Sequence, residues 1–195
     1  MLRRTALLTV AAPLLLAACA QDSKPAFKAV DITGADYARD FPLPDTDGHV
    51  RSIKDFSGKA VVVFFGYTQC PDVCPTTMSE IAQAKKLLGP DGQRVEGVFI
   101  TIDPERDQPQ MLKAYVANFG ADMVALRGSM QQTQQVAKDF KVFYRKAAGS
   151  TPADYSMEHS AASYVFDPSG KLRLYVRYGG GAQALADDLK LLLQS

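Results

Sequence analysis

Two apolar runs constrain the fold of this chain more than any other feature. Residues 60–65 read AVVVFF and residues 95–102 read VEGVFITI. Each run is short, continuous and rich in β-branched or aromatic residues, which is typical of a strand whose two faces are both covered. Between them, residues 76–89 carry apolar side chains at helical spacing. The order strand, helix, strand predicts an α/β domain with parallel strands.

The second half of the chain predicts the remaining elements of this domain. Apolar periodicity predicts helices over 112–119 and 130–140 and a closing helix over 185–192. The segments 163–166 and 171–178 flank the turn-forming quartet DPSG, which predicts an antiparallel hairpin. This order predicts a thioredoxin-like fold with a central mixed sheet, an N-terminal hairpin extension and a late antiparallel hairpin.

Several single residues predict turns and helix starts. Asp47–Gly48 predicts the turn of the N-terminal hairpin. Thr77 with Glu80 predicts a capping box at the start of the first helix. Asp107 is predicted to cap the second helix, and Ser129 the third.

The first residues predict export and membrane anchoring. A basic head (MLRR), a short apolar run and the small-residue ending LAAC are typical of a secretory signal over residues 1–18. The ending resembles the bacterial lipobox, in which Cys19 is acylated; an ordinary cleaved signal that contains a cysteine is the alternative. Residues 19–40 are predicted to be a membrane tether and residues 41–195 the folded domain.

The charge balance argues against a nucleic-acid partner. Removal of residues 1–18 takes away two arginines and no acids, so the formal charge changes from +1 to −1. A near-neutral chain lacks the basic surface that phosphate backbones require.

With Cys19 assigned to lipid, Cys70 and Cys74 are the remaining cysteines, in the segment GYTQCPDVCP. In an oxidising compartment they form a disulfide unless redox chemistry or a metal prevents it. Pro71 favours a turn that brings the two sulfurs together on a strand-to-helix elbow, off the helix face. The nearby helix N-terminus favours thiolates, which attack disulfides and also bind metals.

The histidines limit the choice of metal. A structural zinc site needs four ligands, and the chain has only two histidines and no further free cysteine. Cu(I) suits two thiolates and one imidazole. His159 precedes the late hairpin and, in a thioredoxin topology, faces the cysteine elbow; a hydrogen-bonded structural role is the alternative. His49 lies in a polar turn and is predicted to be a surface residue.

Other polar and sulfur-containing residues are weaker candidates. Asp103 ends the second predicted strand, at the edge where sites form in α/β sheets. It can steer His159 or the cysteine loop, or simply start a turn before Pro104. Met78 and Met157 carry soft sulfur, but we expect them to fill the core.

Three segments together resemble the Sco/SenC family: FFGYTQCPDVCPTTM, ITIDPERDQP and DYSMEHSAASYVFDPSGKL. The resemblance implies one copper ion per chain, Cu(I) or Cu(II), held by Cys70, Cys74 and His159, with Asp103 at the family's acidic position. It also implies assembly of the CuA centre of cytochrome c oxidase, with oxidase subunit II and a copper donor protein as partners. The expected location is the periplasm-facing cell envelope, held by a lipid anchor.

Thiol chemistry is the main alternative to copper delivery. A thiol-disulfide oxidoreductase would reduce the cysteines of oxidase subunit II, and a redox or copper sensor would use the same pair. The spacing is CxxxC rather than the CxxC of thioredoxins, and His159 lies where thioredoxins place a cis-proline. A classical enzyme is therefore not expected.

Overall fold

The computed structural model describes residues 26–120, 122–149, 151 and 154–194. The predicted signal peptide and Cys19 lie outside these residues. Among the described helices, none combines the length and apolar character needed to cross a bilayer.

The described residues form ten strands and four α-helices. The strands are β1 Val30–Asp31, β2 Leu43–Pro44, β3 Val50–Arg51, β4 Ala60–Gly66, β5 Val95–Thr101, β6 Val124–Leu126, β7 Tyr144–Ala148, β8 Tyr155–His159, β9 Ser163–Phe166 and β10 Leu172–Val176. The helices are α1 Val73–Leu87, α2 Pro109–Ala117, α3 Met130–Asp139 and α4 Ala182–Gln194. Two 3-10 helices, Ile53–Phe56 and Gly89–Arg94, lead into β4 and β5.

A six-stranded mixed sheet forms the centre of the domain, in the order β1-β10-β9-β4-β5-β6. β4, β5 and β6 are parallel, whereas β9, β10 and β1 run antiparallel to their neighbours. Every residue of β4 and β5 is buried, because helices cover both faces of the sheet. The predicted α/β, thioredoxin-like fold is confirmed.

The register of β4 and β5 fixes where the site can form. Ala60 pairs with Val95 at one end, and Gly66 pairs with Thr101 at the other. The loop that carries the cysteines and the loop that carries Asp103 therefore leave the sheet from the same edge.

The two predicted hairpins are present. β2 and β3 pair around Gly48, whose φ of +88° belongs to the left-handed region that glycine adopts without strain. β9 and β10 pair antiparallel, as the DPSG turn predicted. Met78 and Met157 are buried in the core, as expected.

Two of the three predicted helix starts are wrong. α1 begins at Val73, and Thr77 lies inside it, where its Oγ1 donates to the Val73 carbonyl at 2.8 Å. The N-cap of α2 is Gln108, and Asp107 is buried. Ser129 does cap α3, since its side chain accepts from the backbone N–H of Gln132 at 3.2 Å.

A third hairpin, formed by β7 and β8, was not predicted. Its register pairs Tyr144 with His159 and Ala148 with Tyr155. β7 is mostly exposed and polar, and the alternation of Tyr155 and Met157 with Ser156 and Glu158 in β8 covers only five residues, which is too short a run to predict a strand by itself. The hairpin places His159 at the end of a strand rather than in a loop.

The N-terminal segment joins the sheet through β1, within the residues assigned to the tether. The backbone N–H groups of Lys28 and Ala29 donate to the two carboxylate oxygens of Asp188, each at 2.8 Å. Asp188 lies on α4 and is only 2% exposed. This buried carboxylate fixes the chain just before β1.

We expect Asp188→Ala to lower the free energy of unfolding by about 1–3 kcal/mol, because two backbone donors lose their acceptor. Urea unfolding measures this loss. The matched control is Asp187→Ala, which removes an exposed ion pair with the Lys28 ammonium and an exposed hydrogen bond from Gln183 and should change little. Equal losses in the two variants would show that Asp188 does not fix β1.

Candidate metal centre

The cysteine loop runs from the end of β4 into the first turn of α1. The Cys70 N–H donates to the Tyr67 carbonyl at 3.2 Å, which folds the loop back. Cys74 is the second residue of α1, and its N–H donates to Cys70 Sγ at 3.4 Å. The prediction that both sulfurs lie off the helix is therefore wrong for Cys74. Pro75 is tolerated within the first turn, so the helix begins before it.

The two thiols differ in exposure. Both are free, but Cys74 is fully buried whereas Cys70 is partly exposed. Cys74 Sγ packs against the end of β4, where a Cβ on Gly66 would lie 2.8 Å from this sulfur and 2.9 Å from the Phe99 ring. A side chain at position 66 would therefore occupy the space that the sulfur needs.

His159 completes a three-residue cluster. Its Nε2 lies 3.5 Å from Cys74 Sγ, and its Nδ1 lies 2.9 Å from the Ser160 carbonyl oxygen. An Nδ1–H that donates to this carbonyl leaves the Nε2 lone pair directed at the sulfurs. The ligand atoms of Cys70, Cys74 and His159 all lie within 4.8 Å of one another. The structure thus brings together the three residues that the sequence singled out.

Aromatic side chains hold the imidazole ring. The edges of Phe64 and Tyr67 meet it, with centroid distances of 6.0 and 6.1 Å. The backbone N–H of Ser160 donates to the Phe143 carbonyl at 2.9 Å, and Ser160 Oγ accepts from the Phe143 N–H at 3.1 Å. The ring is therefore constrained from the sheet, the cysteine loop and its own hairpin.

The two cysteines share a proton unequally. The hydrogen bond with Cys74 lowers the pKa of Cys70 to about 4; burial opposes this shift, and the neighbouring His159 imidazole adds to it. The hydrogen bond to Cys70, together with burial, raises the pKa of Cys74 far above its usual range. At neutral pH Cys70 is the thiolate and Cys74 holds the proton.

Asp103 does not bond to His159, whose Nδ1 is already paired with Ser160. Its buried carboxylate accepts from Arg106 Nε at 2.5 Å and from the Tyr155 hydroxyl at 2.8 Å. Arg106 Nη1 in turn donates to Gln69 Oε1 at 3.0 Å. The Asp103 carboxylate therefore reaches the cysteine loop through an arginine that was not singled out in the sequence.

Asp107 is a second residue whose role was missed. Its carboxylate accepts from the Thr68 N–H at 3.1 Å and from the hydroxyls of Thr68 and Thr101, each at 2.6 Å. Burial raises the pKa of this carboxyl, against the hydrogen bonds. The residue therefore fixes the cysteine loop to the end of β5. His49, by contrast, is an exposed surface residue, as predicted, with Nδ1 3.7 Å from Asp45.

A model of the SCO1/SenC family matches residues 30–194. The chain belongs to the SCO1/SenC family. Its cysteine pair, its histidine and its DPERD segment all lie within the matched region.

One relative and two solved structures illustrate the similarity. The chain is 35% identical over 153 residues to the mitochondrial protein SCO2 homolog of Bos taurus, with 77% of this chain and 58% of the relative covered. It therefore spans less than two thirds of the length of that relative.

The solved structures are covered more fully. The copper-bound ScoI of Bradyrhizobium japonicum is 34% identical, with a TM-score of 0.70 and coverage of 77% of this chain and 96% of that one. A SCO1/SenC family lipoprotein from Bacillus anthracis is 26% identical, with a TM-score of 0.67 and coverage of 78% and 92%.

We expect Gly66→Ala to displace Cys74 and to weaken metal binding, because its methyl group would overlap the sulfur. The free energy of unfolding should also fall by about 1–3 kcal/mol. Gly97→Ala is the matched control, since a Cβ there would meet Ile81 and Met123 at 3.3 Å, away from the cysteines. Metal titration and urea unfolding should separate the two variants. Unchanged metal affinity in Gly66→Ala would contradict the proposed overlap.

The lowered pKa of Cys70 predicts an unusual reaction profile. The rate of its alkylation should stay nearly constant from about pH 8 down to about pH 5, because the thiolate persists, whereas an ordinary thiol slows about tenfold per pH unit. Mass spectrometry of the peptide that contains Cys70 follows the reaction. In Cys74→Ala, which lacks the hydrogen-bond donor, the rate should again depend on pH. A steep decline in the unsubstituted protein would contradict the assignment.

Proposed function

We propose that this protein binds one copper ion through Cys70 Sγ, Cys74 Sγ and His159 Nε2 and delivers it to the CuA centre of cytochrome c oxidase. The observation that carries the proposal is the grouping of two sulfurs and one imidazole nitrogen within 4.8 Å. These soft and intermediate donors suit copper, and a set of three does not complete the four-ligand shell of a structural zinc site.

The exposure of the site supports transfer as well as binding. Cys74 is held in the core, whereas Cys70 and His159 are partly exposed at the sheet edge. An incoming thiolate or thioether of an acceptor can approach this side and replace these ligands one at a time. The proposed acceptor is oxidase subunit II, and a separate copper donor protein loads the site.

The comparisons support copper as the cargo. The neighbour from Bradyrhizobium japonicum holds copper, and it is similar over 77% of this chain. The family match covers the cysteines and the histidine alike.

For the membrane attachment, the proposal is a lipid anchor on Cys19 after removal of residues 1–18, with the residues between Cys19 and β1 linking the anchor to the domain. The lipobox-like ending supports it, as does the Bacillus anthracis lipoprotein of the same family. Two or more acyl chains would hold the domain on the periplasm-facing side of the cell envelope.

Disulfide reduction is the second candidate function, and the lowered pKa of Cys70 favours it. The Cys70 thiolate would attack a disulfide of the partner and form a mixed disulfide. Cys74 would then displace the reduced partner, so that this pair becomes oxidised and the partner gains two electrons. A sensor of copper or redox state would use the same two states.

His159→Ala separates these functions. We expect the reduced, purified protein to bind one Cu(I), and the variant to bind it about 10- to 100-fold more weakly because one donor is lost. Competition with a chromophoric chelator measures the affinity. Cells that carry the variant should lose CuA assembly, while reduction of a disulfide substrate by the purified variant should persist.

His49→Ala is the matched control, since it removes the other histidine, which is exposed and hydrogen-bonded elsewhere. It should leave both activities unchanged. Normal Cu(I) affinity in His159→Ala would remove His159 from the ligand set. Normal oxidase assembly in that strain would show that copper delivery is not the function.

A further inference from the structure

We infer that Arg106 is a positioning residue, which holds the strand that bears His159 against the loop that bears the cysteines. This inference rests on the copper site proposed above. Arg106 touches none of the three ligands in the contacts described. It acts through the residues on either side of the site.

Arg106 contacts three segments around the site: the residues after β5, the cysteine loop and β8. Nε donates to the Asp103 carboxylate at 2.5 Å, beyond the end of β5. Nη1 donates to Gln69 Oε1 at 3.0 Å, one residue before Cys70, and to the Tyr155 carbonyl oxygen at 2.8 Å, on β8. The guanidinium carbon also lies 3.5 Å from the centroid of the Tyr155 ring.

Pairing with the central sheet does not hold the β7–β8 hairpin, because within the described residues its strands pair only with each other; the buried Met157 side chain and the contacts of Arg106 hold it. The Tyr155 hydroxyl donates to Asp103, which also binds Arg106, so the tyrosine is held at both its ring and its backbone. An exposed ion pair between Lys146 and Glu105 adds a weaker link. These contacts fix the position of β8 relative to the cysteine loop, and His159 is the last residue of this strand.

We expect the Asp103–Arg106 ion pair to contribute more to the position of His159 than to the stability of the fold. Asp103 is fully buried, the Arg106 side chain is only 16% exposed, and Arg106 Nη2 is buried with no hydrogen-bond partner in the described part of the chain. Compared with an apolar pair of similar size, a buried ion pair with an unsatisfied donor contributes little net stability, because desolvation offsets the attraction; removal of only one partner, however, leaves the other charge buried and unpaired. The rigid fork of arginine can serve three acceptors at fixed angles, which a lysine cannot do.

Substitution at Arg106 should therefore weaken copper binding through His159. We expect Arg106→Lys to keep the charge but lose the fork, and Arg106→Gln to lose both. Each should lower the Cu(I) affinity of the purified full-length protein by about 10- to 100-fold, the usual effect of a residue that orients a ligand. In the Cu(II) form, the nitrogen hyperfine coupling of the imidazole should weaken in the electron paramagnetic resonance spectrum.

Arg127→Gln is the matched control. Arg127 donates to the Pro104 carbonyl, in the same loop, but its described hydrogen bonds reach neither Gln69 nor Tyr155. It should leave the copper affinity and the nitrogen coupling unchanged.

A double-mutant cycle tests whether Arg106 acts through His159. In the His159→Ala background, Arg106→Gln should cause no further loss of Cu(I) affinity. A loss of similar size in both backgrounds would overturn the inference, because it would reflect general disruption. So would normal affinity in Arg106→Gln.

A further variant tests the inference if the Arg106 variants fail to fold. Tyr155→Phe keeps the ring and the backbone carbonyl but removes the hydroxyl bond to Asp103. We expect a partial loss of affinity and of nitrogen coupling; no change in either would overturn the inference. If the unsubstituted protein binds no copper, the proposed function itself has failed, which is a distinct result.

Discussion

The parallel pairing of β4 with β5 is the constraint on which the site depends. Both strands are completely buried, and their register places Gly66 beside Thr101. Because the carboxyl ends of parallel strands share one edge, the cysteine loop and the DPERD segment emerge side by side. Asp107 then joins them through Thr68 and Thr101. These hydrogen bonds therefore fix the shape of the dithiol loop.

The sulfur and imidazole ligands lie on parts of the molecule that are stabilised by different interactions. Cys74 belongs to a helix that packs on the core, and its sulfur lies against β4. His159 belongs to a largely exposed hairpin that is held by polar contacts around Arg106. The sulfurs and the imidazole thus respond to different perturbations. A protein that must both hold and release a metal benefits from this division, since one ligand can move without unfolding the core.

Much of the fold and the ligand set could be predicted because the relevant signals are local. The buried strands, the DPSG turn and the paired cysteines are visible in short windows. His159 was found because the thioredoxin topology places its segment opposite the cysteines. The roles of Arg106 and Asp107 were not predicted because their decisive contacts are distant in sequence. Arg106 reaches Gln69 and Tyr155 across 37 and 49 residues, and Asp107 reaches Thr68 across 39. The β7–β8 hairpin was not predicted because β7 is mostly exposed and the apolar alternation of β8 covers only five residues.

At Gly66 the core and the metal site are packed so closely that no side chain fits between them. The hollow beside this glycine is bounded by Phe64, Phe99 and the Cys74 sulfur. A larger side chain at this position would force the sheet and the first turn of α1 apart. Position 66 therefore restricts substitution by the size of the side chain. With glycine, the Cys74 sulfur can lie where the His159 imidazole meets it, whereas a methyl group would push the two donors apart.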